Sequence, residues 1–365
     1  VNRVLVTFAG GRLGIGVSRA LKSGPEYVRV MGVDSDRVKV HRAAVDEVRL
    51  VPRAKEDDYL PVLAELVRET GTEFVWPNHE GEIAVIASEP GAVPAATFLP
   101  PPDTIAVCQD KLASYERFRR SGVPVPASTL VSSPADLEKA FRDFGTNIWV
   151  RAISGTGGKG SLPVSDLETA RGWLDLNEGW GQFMAAEKMT ESTVTWESVW
   201  WHGDLVFAQG RRRLYWEFSG IALSGVTGIG GAHQWVADPE VDGIALGAIE
   251  AVDPKPHGIF SVDMAYDSRG HPRVTEINCG RFMSGGVIHP FRGHINVAQL
   301  ILGLVSGKKP EASKPLLNTF STRVVLVHGM DVEPVEIALD EVERCARELE
   351  ERRAGLSAAA LVGSR

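Results

Sequence analysis

The strongest constraint on the fold lies in the first hundred residues, where apolar strand patterns alternate with helical ones. Arg3 to Phe8, Val28 to Val33 and Glu73 to Trp76 read as strands, and about Leu13 to Lys22 and Asp57 to Glu69 read as helices. Strands separated by helices of this length predict a parallel sheet with crossover helices, an α/β class. The unit ends at Phe98–Leu99–Pro100–Pro101–Pro102–Asp103, where successive prolines remove amide donors and favour extended backbone. At 365 residues the chain has room for roughly two or three domains.

Beyond the prolines the pattern changes. Helices are expected over Asp110 to Ser121, Pro134 to Phe144, Pro239 to Val252 and Asn296 to Val305. Strand Asn147 to Ala152 enters a glycine loop, Ser154–Gly155–Thr156–Gly157–Gly158–Lys159–Gly160, and Ser161 to Val164 reads as its return strand. The loop therefore sits on a hairpin. A Walker A loop needs GxxxxGK, then Ser or Thr, then a helix, so a P-loop NTPase is disfavoured. Strands are expected at Met184 to Met189, Thr193 to Trp201, Asp204 to Gly210, Gly258 to Tyr266 and Arg273 to Asn278. The Gly/Ser-rich stretch Ser219 to Gly231 is a candidate lid. Strand Thr322 to Val327 and a charged helix from about Glu336 to Arg353 complete the chain.

Candidate chemistry concentrates on one strand pair. Residues two apart on a strand share a face, so Glu276 and Asn278 point the same way, and a hairpin at Ser268–Arg269 brings Asp263 near them. Two carboxylates at about 4 Å repel by about 4 kcal/mol at an intermediate dielectric. A magnesium ion, which prefers hard oxygen ligands and phosphate oxygens, reverses that sign. The alternative is a salt-bridged surface hairpin. Lys111 at a helix start and Arg151 before the glycine loop can both aim a cation at phosphates under the loop, whose small residues let backbone amides approach.

The ordered series Lys111, Arg151 with its glycine loop, Ala185–Ala186–Glu187–Lys188–Met189, then Asp263, Glu276 and Asn278 resembles the ATP-grasp superfamily over about residues 1–310. The similarity is greatest to its carbamoyl-phosphate-synthase-like and carboxylate–amine ligase branches. The resemblance implies an N-terminal Rossmann-like domain (1–100), an ATP-grasp small lobe with the glycine flap (101–183), a large lobe with the magnesium site (184–310) and a C-terminal extension (311–365), with ATP bound between the two lobes. It implies that Lys111, Arg151, Gly157, Gly158, Lys159 and Gly160 contact phosphates, that Glu187, Lys188 and Met189 form the hinge against adenine, and that Glu197 holds the ribose. Asp263, Glu276 and Asn278 are the implied magnesium ligands. Arg281 in EINCGRF is the implied partner of the transferring phosphoryl group, one residue later than the family spacing E-I-N-P-R. By the same resemblance, the turn of Gly10, Gly11 and Gly14 faces an acceptor substrate. Its rival is a dinucleotide site, because Asp34 ends the next strand; GGRLGIG is not GxGxxG, however.

The implied activity activates a small carboxylate as an acyl phosphate for an amine, with ATP and magnesium as cofactors. A kinase-like or carbamate-forming reaction and a nucleotide-binding subunit without turnover are the alternatives. Asn78, His79, Glu80, Glu82, one of Arg211 to Arg213, His289 and Arg292 are candidates for substrate choice. The net charge of −8 argues against general nucleic-acid binding. No run of eighteen apolar residues suggests a membrane span, and Cys108, Cys279 and Cys345, far apart and without a CxxC, suit a reducing compartment, for which the expectation is the cytoplasm. A homo-oligomer is left open.

Overall fold

The computed structural model describes residues 1–155, 158, 160–283, 295–308, 315–327 and 339–363, with side chains of the last stretch described over 343–357. The first sheet is parallel, in the order β3-β2-β1-β4, from β1 (Arg3–Val6), β2 (Arg29–Asp34), β3 (Glu47–Leu50) and β4 (Phe74–Trp76). Helices α1 (Arg12–Lys22) and α2 (Tyr59–Thr70) connect its strands as the alternation predicts. β3 was not anticipated. Its four residues EVRL are half-polar and half-buried, too short for a clear period.

Two short helices follow, α3 (Glu80–Ser88) and α4 (Pro102–Gln109). The proline run was expected to be extended throughout; instead Pro102 sits in the first turn of α4, where a missing amide costs nothing. α5 (Lys111–Arg120) is fixed at its start by Asp110, whose carboxylate accepts from Leu112 N at 2.9 Å and Ala113 N at 3.0 Å. Lys111 N also donates to Ile153 O at 3.0 Å, which ties the helix start to the glycine hairpin. Asp110→Ala should therefore lower stability by about 1 kcal/mol, read as a lower thermal midpoint.

The second sheet is antiparallel, in the order β5-β8-β6-β7: β5 (Ser128–Val131), β6 (Ile148–Ala152), β7 (Leu162–Val164) and β8 (Phe183–Glu187). α6 (Pro134–Phe144) and α7 (Leu167–Leu176) cover one face, burying Leu137, Ala140, Ala170 and Leu174. The glycine hairpin joins β6 to β7, as expected.

The third sheet runs β13-β12-β9-β10-β11-β15, with β14 (Leu316–Leu317) alongside β10. Its strands are β9 (Thr193–Trp201), β10 (Asp204–Trp216), β11 (Gly230–Val236), β12 (Gly258–Tyr266), β13 (Pro272–Cys279) and β15 (Val325–Val327). β9 and β12 match their expected limits; β10 runs six residues further, and β11 takes the end of the Gly/Ser-rich stretch. One face of β9, β12 and β13 packs Trp196, Val262, Met264 and Ile277 against α4, α5 and α8 (Pro239–Val252). α9 (Val297–Val305) packs Ile301 and Leu302 into the core shared by the first and third sheets. α10 (Leu339–Gly363) docks on the first domain: Arg352 pairs with Glu69 at 2.5 Å and Glu65 at 3.3 Å, and Arg353 with Glu56 and Asp58.

Candidate active site

The polar face of the third sheet follows from its register. Glu276 lies opposite Asp263, Asp263 opposite Thr195, and Thr195 opposite Arg211, so one row crosses β13, β12, β9 and β10. The next row is Asn278, Ser261, Glu197 and Gln209. A strand alternates its faces, so both rows lie on the face opposite the one that packs Trp196, Val262 and Ile277. The register thus brings together the three expected metal ligands. Asn278 Nδ2 donates to Asp263 Oδ2 at 3.2 Å, and Thr195 Oγ1 donates to Asp263 Oδ1 at 2.5 Å.

Cations face these carboxylates from two directions, Arg151 from β6 of the second sheet and Lys111 from the start of α5, which packs on the third. Arg151 Nη2 reaches Glu276 Oε2 at 2.7 Å, and Lys111 Nζ stands 3.6 Å from the same oxygen while donating to Gly155 O at 2.8 Å. Burial opposes ionisation of Glu276, but Arg151 and Lys111 outweigh it and hold its carboxyl below the usual range. Asp263 moves the other way: burial, then the Glu276 charge, raises it. Two acids driven apart in this way, with an amide oxygen beside them, form a hard-oxygen donor set that fits a divalent cation. Among the described residues no group of three or more His, Cys, Asp or Glu side chains forms a metal cluster.

Arg281 belongs to the same site. The additional residue in its motif is absorbed by Gly280, at φ +80°, which turns the chain so that Arg281 Nη2 comes 3.3 Å from Asn278 Oδ1. A small cavity of about 20 Å³ is lined by Glu80, Lys111, Glu276, Asn278 and Arg281. Glu80, at the start of α3, brings the first domain to this site, whereas Asn78 donates to Thr7 O and Trp76 O and is structural. Glu82 is buried in the first domain, on Thr7, and does not line the cavity.

Sequence reasoning did not separate Arg211, Arg212 and Arg213; the register does. Arg212 points away, over the Tyr266 ring. Arg211 Nε donates to Glu197 Oε1 at 3.0 Å. Arg213 stacks 3.5 Å from the Trp216 ring centre and donates to Thr193 Oγ1 at 2.9 Å, but its Nε is buried without a partner. Burial, then Arg211, lowers its pKa to about 10. The signal available in sequence was the alternation of β10 once β9 was placed.

Two expectations need restating. Glu187 ends β8 and accepts from Ala127 N at 3.1 Å, and the segment through Lys188 and Met189 leads directly into β9, linking the lobes. Glu197 does not open toward that link. It lies four residues into β9, fully buried, its Oε1 held by Arg211 and by Met283 N at 3.2 Å while its Oε2 has no partner among the described residues. Likewise the glycine turn is closed by the protein itself: Gly10 N donates to Asp34 Oδ2 at 3.2 Å, and a Cβ on Gly10 would lie 2.0 Å from Lys39 O. Asp34 also accepts from Asp36 N, which leaves it unsuited to a dinucleotide ribose. Gly158, at φ +69°, packs under Val226 O of the β10–β11 connection, so the candidate lid touches the glycine hairpin. Thr156, Gly157, Lys159, His289 and Arg292 lie outside the described residues.

A flap hairpin on a small antiparallel lobe, a larger antiparallel lobe with an acidic strand pair, and a parallel N-terminal sheet together define the ATP-grasp fold. Solved structures of that fold superpose on most of the chain. The biotin carboxylase domain of the Hydrogenobacter thermophilus 2-oxoglutarate carboxylase, a dimer in complex with MgADP, ADP and bicarbonate, has a TM-score of 0.65 at 16% identity, covering 86% of this chain and 71% of that one. The L-amino acid ligase from Bacillus licheniformis gives 0.64 at 16% identity, covering 86% and 78%. N5-carboxyaminoimidazole synthetase from Staphylococcus aureus gives 0.62 at 15% identity, covering 85% and 78%. No protein-family model matches the sequence, and no curated protein matches it significantly. No helix among the described residues is long and apolar enough to cross a membrane.

Proposed function

We propose that the chain is an ATP-dependent ligase that activates a small carboxylate as an acyl phosphate, which an amine then attacks, releasing ADP and phosphate. The observation that carries this reading is the meeting of Asp263, Glu276 and Asn278 with Lys111, Arg151 and Arg281 between the two lobes. Structures with this fold that carry ADP, MgADP or ATP support it. Asp263, Glu276 and Asn278 would hold magnesium, which supplies charge neutralisation at phosphate oxygens when bound.

The chain's own groups do the remaining work. Lys111 and Arg151, which pair with Glu276 here, would both face the triphosphate once magnesium neutralises that carboxylate. Arg281 steadies the charge that spreads over the transferring phosphoryl group. The glycine hairpin and the 217–229 connection, in contact at Gly158 and Val226, exclude water from an intermediate that water would hydrolyse. The N-terminal domain, through Glu80, supplies one wall of the acceptor cavity.

We assign Arg213 to the anionic substrates as well, because it is a half-buried cation with an unpartnered Nε and, among the described residues, no carboxylate partner. Arg213→Met should weaken ATP binding about tenfold by calorimetry. The thermal midpoint should stay level or rise, since no ion pair is broken. The reaction itself is tested by ADP release across amino acids and small carboxylates, offered singly and in pairs. A ligase needs a pair and yields ADP and free phosphate in equal amounts. ADP release from one compound without free phosphate would make the chain a kinase instead, and no ADP release with any pair would sink the proposal.

A further inference from the structure

Two of the cysteines far apart in sequence are brought together in space. Cys108 lies in the last turn of α4 and Cys279 ends β13; α4 packs on β13, and both residues line the same cavity of about 20 Å³. Both are unpaired and buried, 5% and 7% exposed. The Cys279 thiol, then burial, pushes the Cys108 thiol well above its ordinary value. The third cysteine, Cys345, is in α10 on the first domain, away from them.

Their positions along the chain matter as much as their proximity. Cys279 stands between Asn278 and the turn at Gly280 that directs Arg281. Cys108 lies just before Asp110, which caps the helix that fixes Lys111. A bond between the two sulfurs would therefore join the segments that hold Lys111, Asn278 and Arg281 to the site. The cavity lined by both residues is large enough for a molecule of about the size of water, and hydrogen peroxide is only slightly larger.

We propose that Cys108 and Cys279 form a reversible disulfide under peroxide, and that this link reports oxidation directly to the candidate active site. One thiol takes an oxygen from hydrogen peroxide to become a sulfenic acid, with loss of one water. The second thiol displaces that oxygen as a second water, and the sulfur–sulfur bond forms. Two thiols thus lose two electrons and two protons, all taken up by the peroxide. A disulfide requires its Cα atoms within about 4.4–6.8 Å and its sulfurs at a fixed torsion. Held to that geometry, the end of α4 and the end of β13 would no longer move independently, and the segments that carry Lys111 and Arg281 would be locked to each other.

The test uses the full chain. After hydrogen peroxide, a non-reducing tryptic mass map should show peptide 274–281 linked to the peptide that ends at Lys111, and dithiothreitol should separate them. ATP binding, measured by calorimetry on the same samples, should weaken about tenfold in the linked form and return on reduction. Cys108→Ser, with Cys108→Ala as a second variant should the serine fail to fold, should keep its ATP binding through the same treatment. The absence of the linked peptide, or equal loss of ATP binding in the variant, overturns the proposal; a link without any change in ATP binding overturns its consequence for the site. That consequence rests on the ligase reading. The link does not, so a reduced chain that fails to bind ATP would refute the function while the mass map still decides the disulfide.

Discussion

Glu276→Ala is expected to reduce ADP release by roughly 10²–10³-fold, the scale seen when one preorganised charge contact with a transition state is removed. Glu276 has two jobs in the structure. Opposite Asp263, it supplies half of the carboxylate charge of the donor trio. Between Arg151 and Lys111, it is also the group that keeps two cations from repelling each other. The alanine removes both at once, and Glu276→Gln separates them. Glutamine can still accept from Arg151 through its amide oxygen, but it brings no charge to the trio. If charge on the metal is the larger effect, the glutamine variant should lose nearly as much turnover as the alanine, and both should need far more magnesium to reach half-maximal rate. ATP binding without magnesium should be affected much less, because Lys111 and Arg151 remain and lose a competing anion. Full turnover in the alanine variant would remove Glu276 from the site.

Much of this arrangement was legible in the sequence because it rests on period-two spacing. Glu276 and Asn278 had to share a face, and nothing but the register was missing to place Asp263 beside them. Long elements with a cap and a stop were also readable: α6 starts at Pro134, behind the Ser133 cap, and ends before Gly145, at φ +91°. What failed was of two kinds. Short elements such as β3, α3 and α4 have too few residues to show a period, and tertiary packing decides them. Side chains whose surroundings depend on a partner distant in sequence could not be placed. Glu197 reads as an open acid until Arg211, on the neighbouring strand, is seen to hold one of its oxygens. Cys108 and Cys279 look unrelated until α4 is laid on β13. Arg281, one residue late by spacing, is turned to Asn278 by a single left-handed glycine.

Glu82→Gln should change how the fold responds to pH, by about 3 kcal/mol between pH 4.5 and pH 7. The Glu82 carboxyl is buried beneath the first sheet, where Thr7 Oγ1 donates to it at 2.5 Å, Tyr59 lies beside it and Asp34 is close enough to act on its charge. Burial, opposed in part by the Thr7 hydrogen bond and reinforced by Asp34, raises its pKa to about 7. The folded state therefore holds this proton more tightly than the unfolded chain, whose carboxyl titrates near 4.5. Stability from the bound proton is complete below about pH 4.5, falls as pH rises, and is gone above about 7; the gap of about 2.5 units corresponds to roughly 3 kcal/mol. Glutamine keeps an oxygen for Thr7 and has no proton to lose. Thermal midpoints taken from pH 5 to pH 8 should fall for the wild type and stay nearly level for the variant, with the two curves farthest apart at the alkaline end. The same burial explains why Glu82 belongs to the scaffold rather than to substrate choice: a carboxylate that charges only near neutrality, and at a cost to the fold, is a poor receptor for a cationic substrate. Parallel curves for the two proteins would mean that Glu82 is already ionised in the folded chain, and water or an unseen partner would then have to reach it.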